Sequence, residues 1–276
     1  MGRRSRDWNR CVRVEWVIGS LAALGMVAAL LVTRWGSGLS ADSVVYLESA
    51  SNLLHGNGWA FGMTDGVLRP MTQYPPLFPS ALALIGLTGM AVPDAARWFN
   101  AVLFAGTIFL AGMAVSKYTR GAFWPATLAS FFVVTCVPLI RAYSSALTEA
   151  SLIFLGLTGM FLLSVHIKKQ ARIWLVVAAL AIALACLSRY VGVALIAGGA
   201  VALLVLGHKP LRSRLFDVAV WGTVSGGPLA VWVGRNLTIS GHVSRYATQV
   251  DVVGPDRISR YVDMAIRDVF GWGLPD

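Results

Sequence analysis

Residues 147–165 read LTEASLIFLGLTGMFLLSV, and this stretch decides the fold. One acid, Glu149, is followed by sixteen mostly apolar residues, and the run ends in the basic HIKKQAR. A helix of about 20 such residues matches the roughly 30 Å hydrocarbon core of a bilayer. With no water inside that core, the segment must satisfy its own backbone, which a helix does. Runs of the same kind occupy 15–34, 97–115, 121–139, 172–188, 190–207 and 215–234. The short alternating segments of a membrane β-barrel are not visible. The sequence therefore predicts an all-α fold, a polytopic transmembrane helix bundle.

Composition agrees. Apolar residues make up 57% of the 276-residue chain and charged residues 13%, against about 45–50% and about 25% in soluble domains. The formal net charge is +10. Nucleic-acid binding would put that charge on one soluble face. Here the basic residues stand at the ends of apolar runs, where they set topology and meet lipid headgroups. No nucleic-acid partner is expected. Cys136 and Cys186 lie inside apolar runs, and with Cys11 they form no metal or disulfide spacing.

The distribution of Lys and Arg orients the chain. With Arg3, Arg4, Arg6, Arg10 and Arg13 in the cytoplasm, alternating spans also place Lys117, Arg120, Lys168, Lys169, Arg172, Lys209, Arg212 and Arg214 inside. Up to residue 234 the outer side receives only Arg34, Arg69, Arg97, Arg141 and Arg189. This requires that Leu77–Val92, introduced by YPPLFP, lies in the outer leaflet without crossing. The expected organisation is a cytoplasmic basic tail (1–14) and a membrane module (15–234). The module has a long first extracytoplasmic loop (35–96) containing short interfacial helices. An extracytoplasmic segment (235–276) follows, read as the start of a longer chain. The expected location is the plasma or inner membrane, multi-pass, with the N-terminus cytoplasmic.

Polar groups at membrane depth are costly, which makes them functional candidates. Asp42 follows the first span in GLSADSVVYLESASNLLHGNGW, residues 38–59. A helix over 43–55 would carry Val44, Leu47 and Leu54 on one side, with Asp42 either its cap or a site carboxylate. Glu149 opens a span and is short for snorkelling to water. Arg189, in LSRYVG, sits between two apolar runs. It suits either lipid headgroup contact or a ligand phosphate, and Arg141 has the same two readings. Pro75 and Pro76 stiffen the chain after Tyr74. His55 reads as a helix-end residue, and Trp35, Trp59, Trp98 and Trp124 fit interfacial belts. Asn236-Leu237-Thr238 is a formal glycosylation sequon and is discounted.

Four features in order resemble the GT-C superfamily of membrane glycosyltransferases. The nearest group is that of the protein O-mannosyltransferases, aminoarabinose transferases and related bacterial sugar transferases. They are Asp42 with Tyr46 and then Ala50–Gly58; Tyr74-Pro75-Pro76-Leu77-Phe78-Pro79; Ala96-Arg97-Trp98-Phe99-Asn100 opening a span; and Glu149 opening another after a short outward loop. The resemblance covers roughly 10–245. It implies a sugar donor on a polyprenyl phosphate and a large first outward loop, with Asp42 as catalytic carboxylate and Glu149 at the second acidic position. Arg189 becomes a donor-phosphate contact. Arg141, Tyr46, Tyr74 and His55 complete the candidate substrate-binding set. Gln73 departs from members that carry a charged residue before the paired prolines.

Together these readings predict a glycosyltransferase with a lipid-linked donor, acting by inverting displacement with Asp42 as base. The acceptor is a lipid, a glycan or a protein. A divalent ion shared by Asp42 and Glu149 is an option, since two carboxylates can hold a hard cation. No other cofactor is expected. The alternative is a polytopic transporter or lipid flippase, for which charges near the midplane and repeated halves would speak. Here the charges gather at the outward ends and no repeat is visible.

Overall fold

In the computed structural model, residues 2–62 and 66–243 are described, with side chains from Val14 onward. The described residues form an all-α bundle with a single small hairpin. Helix α1 (Gly2–Val32) includes the expected basic tail as its first turns, so tail and first span are one element. It packs against α4 (Val92–Tyr118) and α5 (Phe123–Thr135). The last carbonyls of a helix have no partner within it. Here Arg97, near the start of α4, donates from Nη2 to the Leu30 carbonyl (2.8 Å) and from Nε to Thr33 Oγ1 (3.2 Å).

Between α1 and α4 lies the long connection. It contains α2 (Ala41–Leu54), an antiparallel hairpin of β1 (Ala60–Gly62) and β2 (Leu68–Pro70), and α3 (Leu77–Gly86). The sequence foresaw short helices here but not the hairpin, whose three-residue strands leave no period-two signal. The buried face of α2 is Ser43, Tyr46, Ser49 and Ala50, whereas Val44 is exposed. That corrects the expected face, because small residues let α2 lie close to α3 and to the start of α4. With 10 residues, α3 is about 15 Å long, half a hydrocarbon core.

The expected span over 121–139 is bent. Helices α5 and α6 (Val137–Ser144) meet at 57°. Pro138 near the start of α6 supplies no N–H and clashes with the preceding turn, a sufficient cause for the break. Helices α7 (Glu149–Lys169), α8 (Arg172–Ser188), α9 (Val193–Leu206) and α10 (Leu211–Ser240) then follow through short links, with α8 packed between α7 and α10 and α9 packed on α10. The turn between α8 and α9 is tight. A Cβ on Gly192 would come within 2.9 Å of the Cys186 backbone, so glycine is needed for the chain to double back and leave Arg189 at the bundle end. Among the described residues four helices are long and apolar enough to cross a membrane, five if the bent pair is one span. Helices α8 and α9, expected as spans, fall short of that length, with 17 and 14 residues. Helix α10 runs six residues past the expected boundary at 234, and most of the segment expected outside, 244–276, lies beyond the described residues.

With lipid as apolar as the side chains, helix pairs are held by close packing at small residues. At Gly159 on α7 an added Cβ would stand 2.5 and 2.7 Å from Ile182 of α8, whereas at Gly198 on α9 it would meet nothing within 4 Å. Gly159→Ala should therefore lower stability by about 1–3 kcal/mol through overpacking. Gly198→Ala should be neutral or stabilising by up to about 1 kcal/mol. Thermal denaturation of the detergent-solubilised protein checks both, and an equal effect at the two positions would contradict this packing.

Candidate active site

Two backbone hydrogen bonds build the site. The Gly38 N–H donates to the Ser144 carbonyl and the Ala146 N–H to the Gly38 carbonyl, both at 2.9 Å, making a parallel bridge between Gly38 and Ser145. The bridge joins the segment leaving α1 to the segment arriving at α7. Asp42 follows Gly38, and Glu149 follows Ser145, at the same spacing of four residues. A parallel bridge with equal offsets brings both acids to one end of the bundle. Buried Asn100 of α4 fixes the bridge from below, its Nδ2 donating to the Ser145 carbonyl at 2.7 Å.

Ser40 caps α2, not Asp42. Its Oγ accepts from the Ser43 N–H while Ser43 Oγ accepts from the Ser40 N–H, a reciprocal capping box. Asp42 lies inside the first turn, where the helix dipole favours a carboxylate and the side chain is not consumed as a cap. Instead Asp42 Oδ1 accepts the Tyr74 hydroxyl at 2.5 Å. Tyr74 reaches it from 32 residues away because Pro75 and Pro76 set the chain between the hairpin and α3.

Glu149 is the first residue of α7, also at a helix N-terminus. Its Oε1 accepts from Arg189 Nη1 in a close ion pair, and the same Nη1 lies 3.5 Å from Thr148 Oγ1. Both side chains are about one-third exposed, 36% for Arg189 and 34% for Glu149. Among the described residues Nε and Nη2 of Arg189 make no hydrogen bond.

Tyr46 ties the two halves together. One turn beyond Asp42, its ring lies 4.8 Å from that of Tyr74, and its hydroxyl faces Thr148, beside Glu149. Burial pushes the Tyr46 phenol up to about 12. The nearby Thr148 hydroxyl opposes that rise, the Asp42 and Glu149 charges add to it and the Arg189 charge subtracts from it. Asp42, Tyr46, Tyr74, Thr148, Glu149 and Arg189 thus form one contiguous cluster.

Two candidates stand outside it. His55 is the C-cap of α2, its Nδ1 2.7 Å from the Ser51 carbonyl. Thirteen residues along the helix separate it from Asp42, about 20 Å. Arg141 is exposed on α6, and its side chain has no partner among the described residues. Among the described residues no three His, Cys, Asp or Glu side chains gather as a metal cage. An ion between Asp42 and Glu149 would share Glu149 with Arg189.

The end of α10 supports Tyr74 from behind, through residues that sequence reasoning did not select. Arg235 Nη1 donates to the Met71 carbonyl (3.1 Å) and its guanidinium lies over Trp232 (4.5 Å) and Trp59 (5.6 Å). Asn236 is fully buried and donates from Nδ2 to the Thr72 carbonyl at 3.1 Å, which occupies the amide of the discounted sequon. The only local signal for these roles was the polar pair Arg235-Asn236 at the end of an apolar run.

A polytopic α-helical bundle with such an acid–guanidinium cluster at one end has the architecture of a GT-C membrane glycosyltransferase. The family model for dolichyl-phosphate-mannose-protein mannosyltransferases matches residues 42–240, and the chain belongs to that family. It is an integral membrane glycosyltransferase, and the family implies a lipid-linked sugar donor. No curated protein and no solved structure matches the chain.

The elevated Tyr46 phenol has a measurable consequence. Its neutral form is favoured in the folded state, so the stability it contributes is complete below pH 10 and is lost as pH rises towards 12. The tyrosinate absorbance difference between wild type and Tyr46→Phe should contain one group titrating near pH 12. A component titrating near 10 would show that Tyr46 is not buried in this cluster.

Proposed function

We propose that the protein transfers a sugar from a polyprenyl-phosphate donor to an acceptor at the extracytoplasmic membrane face, in one inverting displacement with Asp42 as general base. The observation carrying this reading is the cluster itself: a carboxylate with one oxygen held by Tyr74, adjoining a partly exposed guanidinium held by Glu149.

Each group has a separate task. Tyr74 fixes Asp42 Oδ1, which leaves Oδ2 to take the proton from an acceptor hydroxyl or amine. The acceptor oxygen or nitrogen attacks the anomeric carbon as the bond to the phosphate oxygen breaks, and the bonding pair leaves with the polyprenyl phosphate. That phosphate gains charge, and a guanidinium suits it geometrically and electrostatically. Glu149 and Thr148 occupy Nη1 of Arg189, so its Nε–Nη2 edge is the one offered to the phosphate. Glu149 therefore acts mainly as a positioning residue for Arg189, and Tyr46 holds the two halves in register. The basic ends of the spans favour a cytoplasmic N-terminus, which supports an outward-facing cluster. Gathering of charge at one end, away from the midplane, speaks against the transporter alternative.

Turnover of defined polyprenyl-phosphate sugars tests this reading. Asp42→Asn should lose about 10²–10⁴-fold in kcat, the range for removal of a general base, and wild-type product should carry the inverted anomeric configuration. Arg189→Lys keeps the charge but loses the planar fork, so it should weaken donor binding more than Tyr74→Phe does. Tyr74→Phe should act chiefly on kcat. Retained configuration, or full turnover by Asp42→Asn, would refute the mechanism.

A further inference from the structure

The end of the bundle remote from Asp42 carries a second, unrelated arrangement of charge. Helix α4 passes Asn100 beside the site and reaches Lys117 about 25 Å further on, and α7 runs a similar distance from Glu149 to Lys168. There the two helix ends exchange cations. Lys117 of α4 sets its ammonium 4.6 Å from the centre of the Phe161 ring of α7, and Lys168 of α7 sets its own 4.0 Å from the Tyr118 ring of α4. Lys117 also lies near enough to Lys168 and Lys169 to feel both charges.

These amines are exposed and converge, among the described residues, without a counter-charge. Among the described residues none of the three has an acidic partner. Asp217, on α10 near this end, is already held by Lys209 at 2.7 Å and by His166 at 3.3 Å. Glu15, near the same end of α1, makes no ion pair with a described residue. Converging ammonium groups repel unless an anion comes between them. At a membrane edge the anion at hand is a lipid phosphate. The rings of Phe161 and Tyr118 add apolar shoulders suited to the glycerol and upper acyl chain below such a phosphate.

We propose that the paired ends of α4 and α7 form a binding site for one anionic phospholipid headgroup, with Lys117 and Lys168 as its phosphate contacts and Phe161 and Tyr118 as its walls. This site is independent of glycosyl transfer. It anchors the α4–α7 pair, which carries the catalytic loops at the opposite end.

Native mass spectrometry of the full chain in detergent tests it, with phosphatidylglycerol, phosphatidylcholine and inorganic phosphate as probes. Wild type should retain phosphatidylglycerol in preference to phosphatidylcholine. The double variant Lys117→Gln/Lys168→Gln should bind phosphatidylglycerol about thirtyfold more weakly, as expected for two surface amines. Lys117→Arg/Lys168→Arg should keep the preference. Arg212→Gln, which removes an exposed charge at the same end, should leave it unchanged. Melting without added lipid, unchanged in all three variants, shows that they fold. The proposal is overturned if wild type does not discriminate between the two lipids, or if Arg212→Gln costs as much as the double lysine variant. Inorganic phosphate competing as well as the lipid would overturn it too.

Discussion

The site depends on the parallel bridge between Gly38 and Ser145. Two N–H groups and two carbonyls at the bundle end would otherwise lack partners near a medium that supplies few. Pairing them satisfies both segments at once and fixes the relative height of everything that follows in each. Asp42 and Glu149 sit at equal offsets beyond the bridge, each in the first turn of a helix. The two segments run close together: a Cβ on Gly38 would stand 3.6 Å from the Cα and Cβ of Ser145, and only the Ser145 hydroxyl, at 2.9 Å, would have to turn aside.

Around that bridge the structure separates holding from reacting. Asn100 supports the bridge, Ser40 caps α2 and frees Asp42, and Tyr46 spans the two halves. Arg235 and Asn236 hold the 71–72 backbone, so Tyr74 arrives at Asp42 on a segment anchored just before it. Few of these residues are charged, which suits the edge of a bilayer. The charged ones, Asp42, Glu149, Arg189 and Arg235, are each met by a neighbour.

The sequence made the helices and the membrane setting legible because apolar runs and basic ends are local signals. It made Asp42, Glu149 and Arg189 legible for the same reason, since each interrupts or borders an apolar run where charge is costly. What joins them was not legible. The Tyr74–Asp42 contact spans 32 residues and the Asn236–Thr72 contact 164, and no local pattern encodes either. The cap went to Ser40 because its reciprocal bonds with Ser43 satisfy two N–H groups, which a lone Asp42 would not. His55 and Arg141 looked eligible by residue type, but helix geometry carries the first along α2 and leaves the second exposed on α6. Helix α8 keeps the bounds its apolar run suggested, whereas α9 is shorter because the Tyr190–Gly192 turn takes the first three residues of its run.

A cysteine pair at the bridge tests the central claim most directly. In a background with Cys11, Cys136 and Cys186 replaced, Gly38→Cys and Ser145→Cys would place their Cβ atoms 3.6 Å apart, within the span a disulfide accepts, about 3.5–4.5 Å. Mild oxidation of the full chain in membranes should close that bond within one molecule, and each single variant should keep a modifiable thiol. Two thiols that both remain free under oxidation would mean that the segments are not paired, and the account of how Asp42 and Glu149 come together would fail.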